Sequence, residues 1–161
     1  IEAELGLTAE PARRLGALAV LVREDAQRLR ERLALSNEEL RRVEGIGHGW
    51  RAADPAAGIL AAKGLLYAVG VRGYRDRALV GFARSGADLA DPEWRELVTL
   101  PERWTPPTFP LTGEHLMRRG VEAGPRIGAL LAEIKRQWMA DDFPMAQSRL
   151  TALVERAIAV M

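Results

Sequence analysis

The chain has 161 residues, of which 48% are hydrophobic and 28% are charged, a balance typical of a globular fold and not of a disordered segment. It contains no cysteine, which excludes disulfide bonds and thiolate metal sites. The net charge of +1 excludes a strongly basic protein, and no apolar run approaches the roughly 18 residues of a membrane span, so we expect a cytoplasmic protein with no membrane partner.

Hydrophobic residues recur every three or four positions in the first part of the chain, which predicts amphipathic helices. A helix opened by Pro11 carries a single apolar stripe: Leu15, Leu18, Ala19, Val22, Ala26, Leu29 and Leu33. Ser36 and Glu39 have the spacing of a capping box and predict the start of a second helix. Three glycines are expected to end that helix: Gly45, Gly47 and Gly49.

The pair Asp54-Pro55 has the pattern of an N-cap followed by a first-turn proline, which predicts a helix from Ala56 to Tyr67. Two glycines are then expected to break the chain: Gly70 and Gly73. The next helix carries its apolar residues on one side: Ala78, Leu79, Phe82 and Leu89. Asp91-Pro92 repeats the cap-and-proline pattern before a short helix.

A proline-rich segment follows Trp104 and contains three prolines in five residues, which a helix does not tolerate. We therefore predict two helical subdomains, residues 1–104 and 105–161, joined by a connector. No alternating run of β-branched residues predicts a strand. The expected fold class is all-α, an irregular array of about seven or eight helices.

The second subdomain begins with a predicted helical hairpin. Thr112 is expected to cap a short helix that ends at Gly120, and Gly124-Pro125 is expected to open a long one. The apolar stripe of the long helix includes Trp138, so we expect this side chain in the core.

The chain shows no pattern of a catalytic or metal site. It has two histidines, His48 and His115, and neither has a second histidine at metal-ligand spacing. Neighbouring acidic residues are found only at positions 24–25, 38–39 and 141–142. We therefore expect no catalytic residue, no metal and no cofactor within these residues.

The hairpin is the first candidate binding site. The amides of the first turn of a helix, together with its dipole, favour a phosphate group, and glycines allow close approach of a ligand. The candidates at the helix start are Gly124, Arg126, Ile127 and Gly128, and two arginines end the preceding helix, Arg118 and Arg119. The alternative is that Gly124 and Gly128 only allow two helices to pack closely.

The second candidate surface is basic and precedes the connector. Arg77 and Arg84 are seven residues apart and share one helix face, and Lys63 and Arg72 are near them in sequence. Scattered arginines on helices suit a structured RNA, which is bound mostly through phosphates and 2′-hydroxyls. The alternative is a solvated face, or an ion pair between Arg77 and an acidic residue such as Asp76.

Three stretches together resemble the C-terminal region of bacterial CCA-adding enzymes, in the family that includes bacterial poly(A) polymerases. The first is RLALSNEE at residues 32–39, and the second is LY at 66–67 with DRAL at 76–79. The third is the most specific and contains FPLTGEHL at 109–116, GV at 120–121, GPRIG at 124–128 and LL at 130–131, followed by Trp138 and Asp142-Phe143. The resemblance spans roughly residues 7 to 155.

The resemblance implies the parts of the enzyme called body and tail, which hold tRNA while a catalytic head adds nucleotides. It places the head upstream of Ile1 in the same parent chain, with Mg²⁺ and ATP or CTP bound there, so residues 1–161 alone are expected to be inactive. It does not separate CCA addition from poly(A) addition, and the oligomeric state stays open. The alternative function is a helical protein-interaction or oligomerisation module that does not bind RNA.

Overall fold

The computed structural model describes residues 1–159, apart from the side chain of Arg23. The described residues form nine α-helices and no strand, which confirms the all-α class and exceeds the expected number of helices. The helices are α1 (Pro11–Ala19), α2 (Arg23–Leu33), α3 (Asn37–Gly49), α4 (Gly58–Ser85), α5 (Pro92–Val98), α6 (Leu100–Arg103), α7 (Gly113–Met117), α8 (Pro125–Ala140) and α9 (Gln147–Ala159). Two short 3₁₀ helices, Trp50–Ala52 and Pro55–Ala57, lie between α3 and α4.

The chain divides into two compact units, which we call unit 1 (Ile1–Pro106) and unit 2 (Pro107–Met161). The division falls within the proline-rich segment, and residues 104–112 form no helix. Missing amide donors and fixed backbone angles at the prolines explain why no helix continues through it.

The largest apolar core of unit 1 is built around the second half of α4. Tyr74 is completely buried there, and its hydroxyl donates a hydrogen bond to the Leu97 carbonyl at 2.8 Å. Phe82 stacks in parallel on Trp94 of α5, with ring centroids 5.4 Å apart. These contacts fix α5 against α4, and burial raises the pKa of the Tyr74 hydroxyl.

A buried charge network joins three helices of unit 1. Asp76 of α4 is 1% exposed and accepts hydrogen bonds from Arg13 of α1 and Arg42 of α3 at 2.6–2.9 Å. Glu2 and Glu10 bind the other ends of the two guanidinium groups. The hydrogen bond from Arg42 holds the pKa of Glu10 below its usual value. Each buried charge therefore has an opposite charge in direct contact.

The sequence predicts that Gly45, Gly47 and Gly49 end the second helix. In the structure, α3 does not end at the first of these glycines. The helix runs through Gly45 and Gly47 to Gly49. A Cβ at Gly47 would lie 2.4 Å from Cγ1 of Val20, so the glycine allows close packing. A glycine that resembles a helix stop in the sequence thus lies inside the helix, where its missing side chain allows close packing.

The single apolar stripe predicted from Pro11 to Leu33 is wrong, because the chain is extended at Val20 and two helices form. The carboxylate of Asp25 accepts hydrogen bonds from the amides of Leu21 and Val22 at 3.1 Å and so supports the start of α2. Val20 is buried at the break, whereas Leu18 is 89% exposed.

The predicted helix starts are largely confirmed. Ser36 and Glu39 form the reciprocal capping box, and the Asp91 carboxylate accepts from two amides of α5. Asp54 caps the 3₁₀ helix Pro55–Ala57, after which α4 begins at Gly58. Of the two predicted breaks, Gly70 has non-helical angles (φ 71°, ψ 171°), whereas Gly73 lies within the helix.

The expectation that no apolar segment is long enough to cross a membrane is wrong. By length and composition alone, the segment that contains α4 is long and apolar enough. Among the described residues, the span Pro55–Ser85 contains an 18-residue window of mean hydropathy 1.2, of which 11% is buried. Core helices of water-soluble proteins meet the same two criteria. The helix is interrupted at Gly70, and its second half contributes Asp76 to the charge network.

Unit 2 is built around Trp138 of α8, which is completely buried, as predicted. Its indole nitrogen donates to the Pro144 carbonyl at 2.9 Å, and the rings of Phe109 and Phe143 meet it edge to face. Leu153 and Val154 of α9 are buried in the same unit. This core sets α8 and α9 against each other.

Replacing Asp76 with Ala is expected to destabilise unit 1 by about 3–5 kcal/mol, because Arg13 and Arg42 lose their buried counter-charge. Urea unfolding followed by circular dichroism measures the change. Glu38→Gln is the control, since the Glu38–Arg72 pair is exposed and should change stability by no more than about 0.5 kcal/mol. Equal effects of the two substitutions would show that the network does not hold the helices together.

Candidate nucleic-acid interface

The hairpin of unit 2 consists of α7, a turn at residues 118–124 and the start of α8. His115 lies three residues after Thr112 and accepts a hydrogen bond from the Thr112 amide through Nδ1 at 3.2 Å. Gly120 has φ 86°, a left-handed conformation that glycine adopts without strain. The Val121 amide then donates to the Leu116 carbonyl at 3.2 Å. The turn is therefore held by backbone hydrogen bonds, and its arginine side chains are left for other contacts.

Arg118 and Arg119 are both exposed at the end of α7. Arg118 forms an ion pair with Glu114 at 2.6 Å, and each of these two side chains is 66% exposed. Arg119 donates to the hydroxyl of Thr151 in α9 at 3.3 Å. An exposed ion pair contributes little to stability and is readily exchanged for a stronger anion, so Arg118 stays accessible to a phosphate.

A cleft of about 200 Å³ lies between α7 and α9, next to these arginines. Its lining consists of Leu111, His115, Arg118, Arg119, Gln147, Leu150, Thr151 and Val154. Hydrogen-bond donors from the turn after α7 and from α9 therefore face one cavity. The contributions of His115, Gln147 and Thr151 are not predictable from the sequence, because only the packing of α9 beside α7 brings these side chains together.

The start of α8 is open around two of its candidate glycines. A Cβ placed on Gly124 or on Gly128 meets no atom within 4 Å, and both residues are exposed. The alternative that these glycines allow two helices to pack closely therefore has no support in the described residues. A ligand backbone has free space at both positions.

Ile127 does not play the part expected of it. Its amide donates to the Gly124 carbonyl at 3.1 Å, so the prediction of an amide free for a ligand is wrong at this residue. Its side chain lies against Gly113, where an added Cβ would be 3.0 Å from Cγ2 of Ile127. Ile127 thus joins the starts of α7 and α8.

Three further arginines of unit 2 are exposed: Arg126, Arg149 and Arg156. Arg126 is in the first turn of α8, and Arg149 is in the first turn of α9. Within the described residues, Arg149 and Arg156 have no carboxylate partner, so their charges face solvent. Exposed guanidinium groups on a structured surface suit phosphate contacts.

The exposed basic face predicted for Arg77 and Arg84 is not present, and neither is the solvated face given as its alternative, because both side chains are half-buried inside unit 1. Arg77 donates to the Gly73 carbonyl at 2.8 Å and crosses Gly49 of α3, where an added Cβ would lie 2.0 Å from Nε. Burial lowers the pKa of Arg77. The ion pair suggested as an alternative is not formed, since Asp76 binds Arg13 and Arg42 instead.

Arg84 closes the end of α1. Its Nη2 donates to the carbonyls of Gly16, Ala17 and Val20 at 2.8–3.3 Å. The last carbonyls of a helix have no partner within it, and a cation there also interacts favourably with the helix dipole. Arg84 is therefore a helix-capping residue in this structure.

The other two basic candidates differ in exposure. Lys63 is half-buried, and its ammonium group lies 5.7 Å from the ring centroid of Trp104. Arg72 is exposed and pairs with Glu38 at 3.1 Å. The four candidates of this second surface, Lys63, Arg72, Arg77 and Arg84, thus do not form one exposed basic face.

Residues 1–159 contain no group of three or more histidine and carboxylate side chains placed to hold a metal ion. The arrangement in unit 2 consists of donors and positive charges. These groups can bind an anion.

The chain has partial sequence similarity to two curated proteins, the mitochondrial CCA tRNA nucleotidyltransferase 1 of Mus musculus and that of Homo sapiens. Each is 29% identical over 55 residues. The match covers 34% of this chain and 13% of either relative. No family model matches the chain. The comparisons thus relate part of this chain to the CCA tRNA nucleotidyltransferases.

Replacing Gly128 with Ala is expected to raise the free energy of unfolding of unit 2 by up to about 1 kcal/mol, because alanine is the better helix former and the added Cβ meets open space. Thermal unfolding followed by circular dichroism measures the change. Gly113→Ala is the matched control, since its Cβ would contact Ile127 at 3.0 Å. A loss of stability in Gly128→Ala would restore the close-packing explanation for this glycine.

Proposed function

We propose that the chain is a tRNA-binding, non-catalytic part of a CCA-adding tRNA nucleotidyltransferase, and that unit 2 contacts the RNA. The observation that carries the proposal is the grouping of Arg118, Arg119 and Arg126 within nine residues, all exposed, beside the open backbone of Gly124 and Gly128. The partial similarity to enzymes named for tRNA supports tRNA as the partner.

The physical basis of the proposal is charge and access. Structured RNA is bound mainly through its phosphates and 2′-hydroxyls, and this requires cations and donors on a rigid surface, with no base-specific pocket. Arg118 and Arg119 directly follow α7, and Arg126 is the second residue of α8, so a short turn holds all three on one hairpin. The donors of the α7–α9 cleft extend the same surface.

The proposal assigns no catalytic residue to this chain. Nucleotide addition belongs, in this proposal, to a catalytic head of the same parent protein, where Mg²⁺ and ATP or CTP bind. The present chain positions the tRNA for that reaction. CCA addition is favoured over poly(A) addition by the names of the two similar enzymes.

Replacing Arg118, Arg119 and Arg126 together with Ala is expected to weaken tRNA binding and to make its salt dependence shallower. Each lost phosphate contact lowers the slope of log K against log salt by about 0.7–0.9, so the triple variant should lose up to about two to three. Filter binding of labelled tRNA at several salt concentrations measures both quantities. Thermal stability should change little, because exposed arginines contribute little to folding.

Arg136→Ala serves as the matched control, because Arg136 lies on α8 outside this stretch and is paired with Glu133. The proposal fails if the control and the triple variant change tRNA affinity equally, or if the unmodified chain does not bind tRNA. Self-association without tRNA binding would instead favour the protein-interaction module.

A further inference from the structure

A cleft in unit 1 brings two tryptophans and one arginine together. It is lined by Trp50, Arg51, Ala53, Asp54, Gly81, Ser85 and Trp94. Its volume is about 550 Å³, within the range of roughly 300–1,000 Å³ found for small-molecule sites. The 3₁₀ helix Trp50–Ala52, the second half of α4 and α5 form its walls.

Positive charge is concentrated around Trp50, which forms one wall of this cleft. The guanidinium carbon of Arg51 lies 4.5 Å from the ring centroid of Trp50, and that of Arg84 lies 5.0 Å from the same ring. Neither arginine has a carboxylate partner among the residues that the structure describes. Burial lowers the pKa of Arg84, and the nearby charge of Arg51 lowers it further. A bound anion would relieve this repulsion.

Two donors at the same place lack acceptors. The indole Nε1 of Trp50 and the Nη1 of Arg84 are buried and have no hydrogen-bond partner among the described residues. Both groups can only donate, and buried donors in native proteins are normally satisfied. The carboxylate of Asp54 accepts from the Ala56 amide at 2.9 Å within its own 3₁₀ helix. The chain thus leaves two buried donors next to the Trp50 wall of the cleft without an acceptor.

Aromatic surface distinguishes this cleft from a simple anion site. Trp94 stacks on Phe82 through one ring face, with an angle of 1° between the planes, so its orientation is fixed. Arg51 is exposed, and its contact with the indole of Trp50 is one that a ligand ring can replace. Each of the planar bases can stack on tryptophan, whichever base it is, and arginine adds cation–π and phosphate contacts.

We infer that this cleft binds a nucleotide, with its base against the indoles of Trp50 and Trp94 and its phosphate at Arg51. The ligand chemistry is a planar base joined to a phosphate, which a free nucleotide and an unpaired residue of an RNA strand share. The inference goes beyond the proposed function, because the cleft lies wholly within unit 1 and uses none of the unit 2 arginines.

Titration of the 161-residue chain with AMP, adenosine, inorganic phosphate and a hexa-adenylate tests the inference, with tryptophan fluorescence and calorimetry as readouts. AMP or the hexa-adenylate should bind saturably, and adenosine and phosphate should each bind at least about tenfold more weakly, since each lacks one of the two contacts. AMP binding identifies a free nucleotide as a ligand. Binding of the hexa-adenylate alone identifies an RNA strand.

Arg51→Ala should weaken the binding of AMP or hexa-adenylate by about tenfold and leave that of adenosine unchanged. Arg32→Ala is the matched control, because Arg32 is an exposed arginine of unit 1 that does not line the cleft. The variant lacking Arg118, Arg119 and Arg126 should keep AMP or hexa-adenylate binding, which separates this site from the tRNA contact of unit 2. Absence of saturable binding by both ligands, or equal effects of Arg51→Ala and Arg32→Ala, would overturn the inference.

Discussion

The carboxylate of Asp76 sits on the buried side of α4, where Arg13 of α1 and Arg42 of α3 bind both of its oxygens. A charge this deeply buried is tolerated only with an opposite charge in contact, so three helices must meet at this point. Loss of Asp76 would leave Arg13 and Arg42 with only their contacts to Glu2 and Glu10. Asp76 therefore sets the positions of α1 and α3 on α4, and other contacts of unit 1 depend on that setting.

Helix positions in unit 1 determine how its arginines are used. With α3 close to α4, Arg77 has to cross Gly49, and its guanidinium binds the Gly73 carbonyl. With α1 ending beside α4, Arg84 supplies donors to the last carbonyls of α1. In unit 2 the arginines of the hairpin stay exposed. The same residue type thus stabilises helix packing in one unit and provides accessible charge in the other.

Local signals in the sequence were sufficient for several features, because the interactions involved join residues near in sequence. The capping box of Ser36 and Glu39 and the cap at Asp91 fall within this group. The all-α class and the burial of Trp138 also followed from periodicity alone. The hairpin at residues 112–128 could be predicted because the residues that form its turn lie within it.

Features that depend on contacts between distant residues were not predictable from the sequence. Gly47 resembles a helix stop, but its partner Val20 is 27 positions away and the pair allows close packing. The carbonyl partners of Arg84 lie more than 60 residues earlier, so its burial leaves no local trace. The contribution of Thr151 to the α7–α9 cleft similarly requires the packing of α9.

Hydrogen exchange of the chain with and without saturating tRNA, followed by mass spectrometry, tests the central claim most directly. If unit 2 contacts the RNA, exchange should slow in peptides that cover residues 113–128 and the first turns of α9. Peptides from the exposed surface of α2 should be unchanged and serve as the internal reference. Unchanged exchange throughout residues 113–128 at saturating tRNA would contradict the account.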